Sequence, residues 1–157
     1  ILPTIADGGF GYGASGLGVL TTAAGIGALL ATLVQSVMPA ARVGEYPKLA
    51  LLSAISGPVF VLVLGSIGSW ALAVAIVGML GFLGTIVGMS MQTSIQLHLN
   101  DAIRGRVMSL WIMIALGATA TGSIAIGALI DIFGLTLTLQ SVGAVSAGLI
   151  ALLIWRR

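Results

Sequence analysis

The stretch Asn100-Asp101-Ala102-Ile103-Arg104-Gly105-Arg106 lies between two long apolar runs and holds three of the ten charged side chains in the chain. A charge at the centre of a bilayer costs about 2.5 kcal/mol or more, so this cluster belongs in water or among lipid headgroups. The runs on either side must then leave it in opposite senses, and the stretch reads as a cytoplasmic hinge between two membrane spans. The rest of the chain can be placed by counting outward from it.

The composition agrees. Of 157 residues, 59% are hydrophobic and only 6% charged, whereas about a quarter of an ordinary soluble domain is charged. The class is therefore an integral membrane protein. The 23 glycines fall inside the apolar runs, where small residues let helices approach in lipid. Cysteine is absent, which removes disulfides, thiolate metal sites and cysteine nucleophiles. The basic excess rests on six residues in three small groups, which suits membrane orientation and gives no reason to expect nucleic acid.

Five spans are expected, at 14–37, 47–67, 70–97, 106–131 and 135–155, each long enough for about 30 Å of hydrocarbon at about 1.5 Å per residue. The fold class is thus all-α, a polytopic bundle of five transmembrane helices. Residues 1–13, with Pro3, Asp7 and several glycines, are too short to span and read as an outer segment. Pro47 suits the first turn of its helix, and Pro58 should kink the second span. The chain starts without Met or a basic leader region, so it reads as a fragment of a longer protein.

Alternation of the spans puts Arg42, Lys48, Arg104, Arg106, Arg156 and Arg157 on one side of the membrane, and Asp7 and Asp131 on or near the other. Basic residues favour the cytoplasmic side, so the segment should begin outside and end in the cytoplasm of a cell-membrane, multi-pass protein. Tyr12 and Trp70 fall at the outer interface and Tyr46, Trp111 and Trp155 at or near the inner one, as amphipathic rings prefer.

Three stretches carry a family resemblance. The segment Asp101-Ala-Ile-Arg-Gly-Arg-Val-Met-Ser-Leu-Trp111 resembles the cytoplasmic loop between the tenth and eleventh spans of major facilitator superfamily exporters, in the branch of macrolide-efflux and siderophore-export proteins. The opening, from Leu2 to Leu33, resembles that branch's stretch from the end of the seventh span through the eighth, and Ile126-Gly-Ala-Leu-Ile-Asp-Ile-Phe-Gly-Leu135 resembles its turn into the last span. The connection after the first span, from Gln35 to Lys48, lacks the G-x-x-x-D-R-x-G-R signature that many members carry. The resemblance implies that the five spans are the eighth to twelfth of a twelve-helix fold. It also implies a missing N-terminal half, a small amphipathic substrate, protons as a candidate coupling ion, and an efflux antiporter or permease working by alternating access. In that fold the tenth span lines the central cavity, the eighth and eleventh face the other half, and the ninth and twelfth face lipid.

The side chains suit those positions. Thr85, Met89, Gln92 and Gln96 fall within about 60° of one another at about 100° per residue, a polar stripe on an apolar helix that suits a substrate pathway. Amides in hydrocarbon need partners, so the two glutamines either face water and substrate or bond to neighbouring helices. A midplane cavity lined by Gln92 and Thr85 would favour transport; glutamines bonded across a closed bundle would favour a membrane scaffold or assembly subunit that carries nothing. Gly18, Thr21, Gly25, Ala28 and Thr32 share one face of the first span, and Gly117, Thr121, Ala125 and Ala128 one face of the fourth. These are helix-packing faces, static or sliding. In the hinge, Asp101 can cap the next helix or pair with Arg104 or Arg106, as a latch or as a plain orientation signal. His98 is a titratable group at the end of the third span and reads either as an interfacial residue or as a proton-coupling one.

Enzymatic chemistry has no support in the motifs. There is no His-Glu metal spacing, no G-x-S-x-G elbow and no phosphate-binding G-x-x-x-x-G-K-[ST] loop, so no catalytic residue, metal or cofactor is expected. No carboxylate lies deep in a span, which leaves Asp7 or Asp131 at the outer rim, or a group elsewhere in a longer protein, to couple protons.

Overall fold

The computed structural model describes residues 2–6, 10–37 and 47–155. After a helical turn at Leu2–Thr4, the chain forms α1 (Gly13–Ser36), α2 (Pro47–Leu64), α3 (Trp70–His98), α4 (Asp101–Phe133) and α5 (Leu135–Trp155). Among these, α1, α3, α4 and α5 are long and apolar enough to cross a membrane, while α2 has a shorter apolar helical stretch, Leu51–Leu64. The molecule is an all-helical polytopic bundle. Asp7, Arg42, Tyr46, Arg156 and Arg157, used above to orient the chain, lie outside the described residues.

Two helix pairs and a bridge build the bundle. The first pair, α1 with α3, runs parallel: Gly16 lies by Trp70, Gly27 by Gly78 and Thr32 by Met89. A Cβ on Gly27 would collide with the Gly78 carbonyl, and one on Gly81 with the Ala24 backbone, so glycine alone permits the approach. The second pair, α2 with α5, is antiparallel. Gly143 sits against Leu62 and the Pro58 carbonyl, Gly65 faces Leu139, and Gln140 Nε2 donates to Ser66 Oγ at 3.1 Å. Helix α2 also packs on α3 and so joins the pairs. Ile5, Leu20, Leu64, Ala73, Ile76, Val77 and Leu139 form the buried core.

Helix α4 stands apart. Of its 33 residues only Ile130 is buried, and its packing is chiefly on α5. Gly134 alone links α4 to α5; its φ of +79° is a conformation that other residues resist. Its N–H donates to the Ile130 carbonyl at 2.8 Å, and its own carbonyl accepts the Thr138 N–H at 3.2 Å. Pro58 lies inside α2, where its missing N–H leaves the Ala54 carbonyl without an intrahelical donor.

The connection between α3 and α4 is shorter than the sequence reading has it. Only Leu99 and Asn100 are extended, with φ/ψ of −99°/138° and −66°/143°, and Asp101, Arg104 and Arg106 already belong to α4. The cap is also a different residue. Asn100 Oδ1 accepts the Ala102 N–H at 3.3 Å, because the residue just outside the helix is the one whose side chain reaches the free N–H groups.

Candidate functional site

The residues of the polar stripe are all on α3 but do not share one environment. Thr85, 13 residues short of His98, donates to the Gly81 carbonyl of its own helix at 2.9 Å, which satisfies its hydroxyl inside the helix. Gly81 and Met89 share its face, so this part of the stripe lies along the seam with α1. There Met89 Sδ accepts a long hydrogen bond from Thr32 Oγ1 at 3.8 Å. Gln92 is exposed and Gln96 half-buried, and among the described residues neither makes an interhelical hydrogen bond. They lie roughly 10 and 16 Å beyond Thr85 at about 1.5 Å per residue, toward the hinge. The stripe therefore begins sealed by α1 and ends open.

The seam holds a polar residue that the sequence reading passes over. Gln35, one residue from the end of α1, is 7% exposed and donates through Nε2 to the Ile86 carbonyl of α3 at 3.3 Å. A buried amide needs such a partner, and a carbonyl of a regular helix keeps a lone pair to give it. The signal in the sequence is Thr32-x-x-Gln35, two polar groups one turn apart at the end of an apolar run. Both face α3.

The packing stripes lie elsewhere. Gly18, Gly25 and Gly117 have open space where a Cβ would stand, and Thr21 and Thr121 are exposed with their hydroxyls bonded back to the Leu17 and Gly117 carbonyls at 2.8 Å. The contacts within this chain use Gly16, Gly27, Gly78, Gly81 and Gly143 instead. The α4 stripe and the Gly18, Thr21 and Gly25 part of the α1 stripe are exposed among the described residues, whereas Thr32 at the end of the α1 stripe meets Met89 of α3.

At the hinge, Arg104 Nη1 meets Asp101 Oδ1 at 2.8 Å, and Arg104 Nη2 also donates to the Leu99 carbonyl at 3.3 Å. The pair is exposed, which limits it to about 0–1 kcal/mol. Arg106 is exposed on the next turn of α4, away from Asp101. His98 Nδ1 lies 2.8 Å from the Ser94 carbonyl, so the neutral ring would carry its proton there. At the opposite end of the bundle, Trp70 meets Phe10 edge to face and Tyr12 at a tilt, at ring-centroid distances of 5.4 and 4.6 Å. Such rings are at home at a membrane interface.

Long apolar helices sealed against one another by glycine contacts define a polytopic membrane protein. The profile of the transmembrane secretion effector family matches residues 1–157, and the chain belongs to that family of major-facilitator-type transporters. No curated protein and no solved structure gives a significant match.

Proposed function

We propose that this chain is the C-terminal part of a secondary active exporter, an efflux permease that moves amphipathic molecules of drug or siderophore type across the cell membrane by alternating access. The family assignment supports transport in general. The observation that carries the finer reading is the Gln92 carboxamide, exposed on an apolar helix, with no interhelical partner among the described residues. An amide so placed has hydrogen-bonding capacity to give to a substrate or to water in a pathway. With Gln96 it forms the polar end of a wall whose other end, at Thr85 and Met89, is closed by α1. Met89, half-buried beside Thr32, is the apolar end of that wall.

In this proposal the exposed small faces, Gly18, Thr21 and Gly25 on α1 and Gly117 and Thr121 on α4, receive the helices of an N-terminal half. Asp101, Arg104 and Arg106 form the cytoplasmic hinge, and the first residues of the segment lie outside. Protons are the coupling ion proposed. The test is Gln92→Ala in the intact transporter, assayed for efflux across a panel of amphipathic drugs and siderophores. Substrate preference should change while the amount of inserted protein stays the same, and Ser56→Ala on α2 should be silent. Unchanged efflux of every compound by the Gln92 variant would remove this wall from the pathway.

A further inference from the structure

The core cluster borders an apolar pocket that is partly open to its surroundings. A cavity of about 370 Å³ lies among α1, α2, α3, α5 and the first residues, and all eleven residues that line it are apolar. Leu64, Val77 and Leu139 on its wall are among the most buried residues of the chain. Helix α4 contributes only Ile126, so a single side chain closes the wall on that side.

Such a space does not stay empty at no cost. The pocket is partly open, and in a membrane it is filled by the apolar matter beside it, because bare apolar walls forfeit their dispersion contacts. Water cannot fill it, because a buried water needs two to four polar partners and the wall has none. The occupant must be aliphatic. The shape agrees with one source in particular. On α3 the wall runs from Val77 to Gly81, so the pocket lies roughly 10 to 16 Å inward from Trp70 at about 1.5 Å per residue. That is about half of the roughly 30 Å hydrocarbon core, the depth of one leaflet. In a bilayer the aliphatic chains at that depth are those of lipid.

We propose that this cavity is a lipid site that takes one acyl chain of a phospholipid from the leaflet at the Trp70 end, inserted beside Ile126 and resting on Gly81 and Ala24. The lipid completes the core that α4 leaves open.

The test is native mass spectrometry of the 157-residue chain released from phosphatidylcholine nanodiscs. One phosphatidylcholine per chain should survive activation that strips the others. Ile126→Phe and Val61→Phe, which fill the cavity from two different helices, should lose it while circular dichroism shows unchanged helix. Leu80→Ala, which widens the cavity, should keep it. Dodecane added to the unaltered chain should displace the lipid, a measurement that stands even if a filling variant misfolds. No retained lipid, retention by both folded filling variants, or failure of dodecane to compete would overturn the proposal. Displacement by an amphipathic drug but not by dodecane would assign the cavity to cargo and overturn it as well.

Discussion

Gln35 Nε2 donates to the Ile86 carbonyl oxygen at 3.3 Å, tying the last turn of α1 to the middle of α3 at a point where both helices run in the same direction. This is the one side-chain hydrogen bond between nitrogen and oxygen across that seam among the described residues. Gln35→Leu keeps the bulk and removes the bond. It should lower the thermal midpoint of the purified chain by an amount equivalent to about 0.6–1.7 kcal/mol, the range of interhelical polar contacts in membranes. An unchanged midpoint in detergent would show that the bond contributes nothing.

The glycines divide into two groups by the same measurement. Gly27→Leu must push α1 off the Gly78 carbonyl and should cost about 1–3 kcal/mol or prevent the pair from forming. Gly25→Leu, two residues away, meets open space and should leave the isolated chain as stable as before. In the intact transporter the Gly25 variant should lose activity if its face receives the other half. Full activity there would leave that stripe without a partner.

At the hinge, the cap and the ion pair can be ranked. Asn100→Ala removes the side-chain acceptor from the start of α4 and should cost about 1 kcal/mol. Asp101→Asn breaks a pair whose side chains are 47% and 85% exposed, and it should cost less than half as much. Hydrogen exchange of the Ala102 and Ile103 amides would report the difference. Faster exchange in the Asp101 variant than in the Asn100 variant would reverse the ranking.

These predictions mark where the sequence was readable. The apolar runs define the helices because about 20 residues without charge have few other uses, and the charged cluster locates the break between α3 and α4. Which face of α1 meets α3 was not legible. Glycine occurs on several faces of that helix, at 16, 18, 25 and 27, and periodicity tells which residues share a face but not which neighbour covers it. The pairing comes from helices far apart in the chain, and that information is not local. Thr85 and Met89 illustrate the limit: their alignment with Gln92 is visible in the spacing, whereas the arrival of Thr32 beside Met89 is not. Asp101 takes the second of its two expected roles, the pair with Arg104, while Asn100 caps α4, because two adjacent polar side chains compete at the helix start.

Thr138 offers a prediction of opposite sign. The residue is 1% exposed and its hydroxyl has no hydrogen-bond partner among the described residues, although it lies one turn after Gly134. Thr138→Val keeps the shape and removes a buried group that is not paired. The variant should be as stable as the original or more stable by about 1 kcal/mol. A loss of stability would mean that the hydroxyl bonds a carbonyl in the membrane-embedded chain.

Sidedness can be read directly, because the chain contains no cysteine of its own. Cysteines placed at Gly68 and Gly105 should react with an impermeant maleimide from opposite faces of a vesicle. Reaction of both from one face would break the alternation on which the proposed orientation rests.

The parallel pairing of α1 and α3 also sets an order of assembly. Partners that run the same way cannot be neighbours in the chain, and Gln35 and Ile86 are 51 residues apart. At about 5–20 residues per second, roughly 3–10 s separate the emergence of the two from the ribosome. Throughout that interval the glycine face of α1 waits in the bilayer without its mate. The earliest life of this chain is therefore spent with its most closely fitting surface open, and whatever shelters that surface during synthesis decides how much of the protein arrives folded.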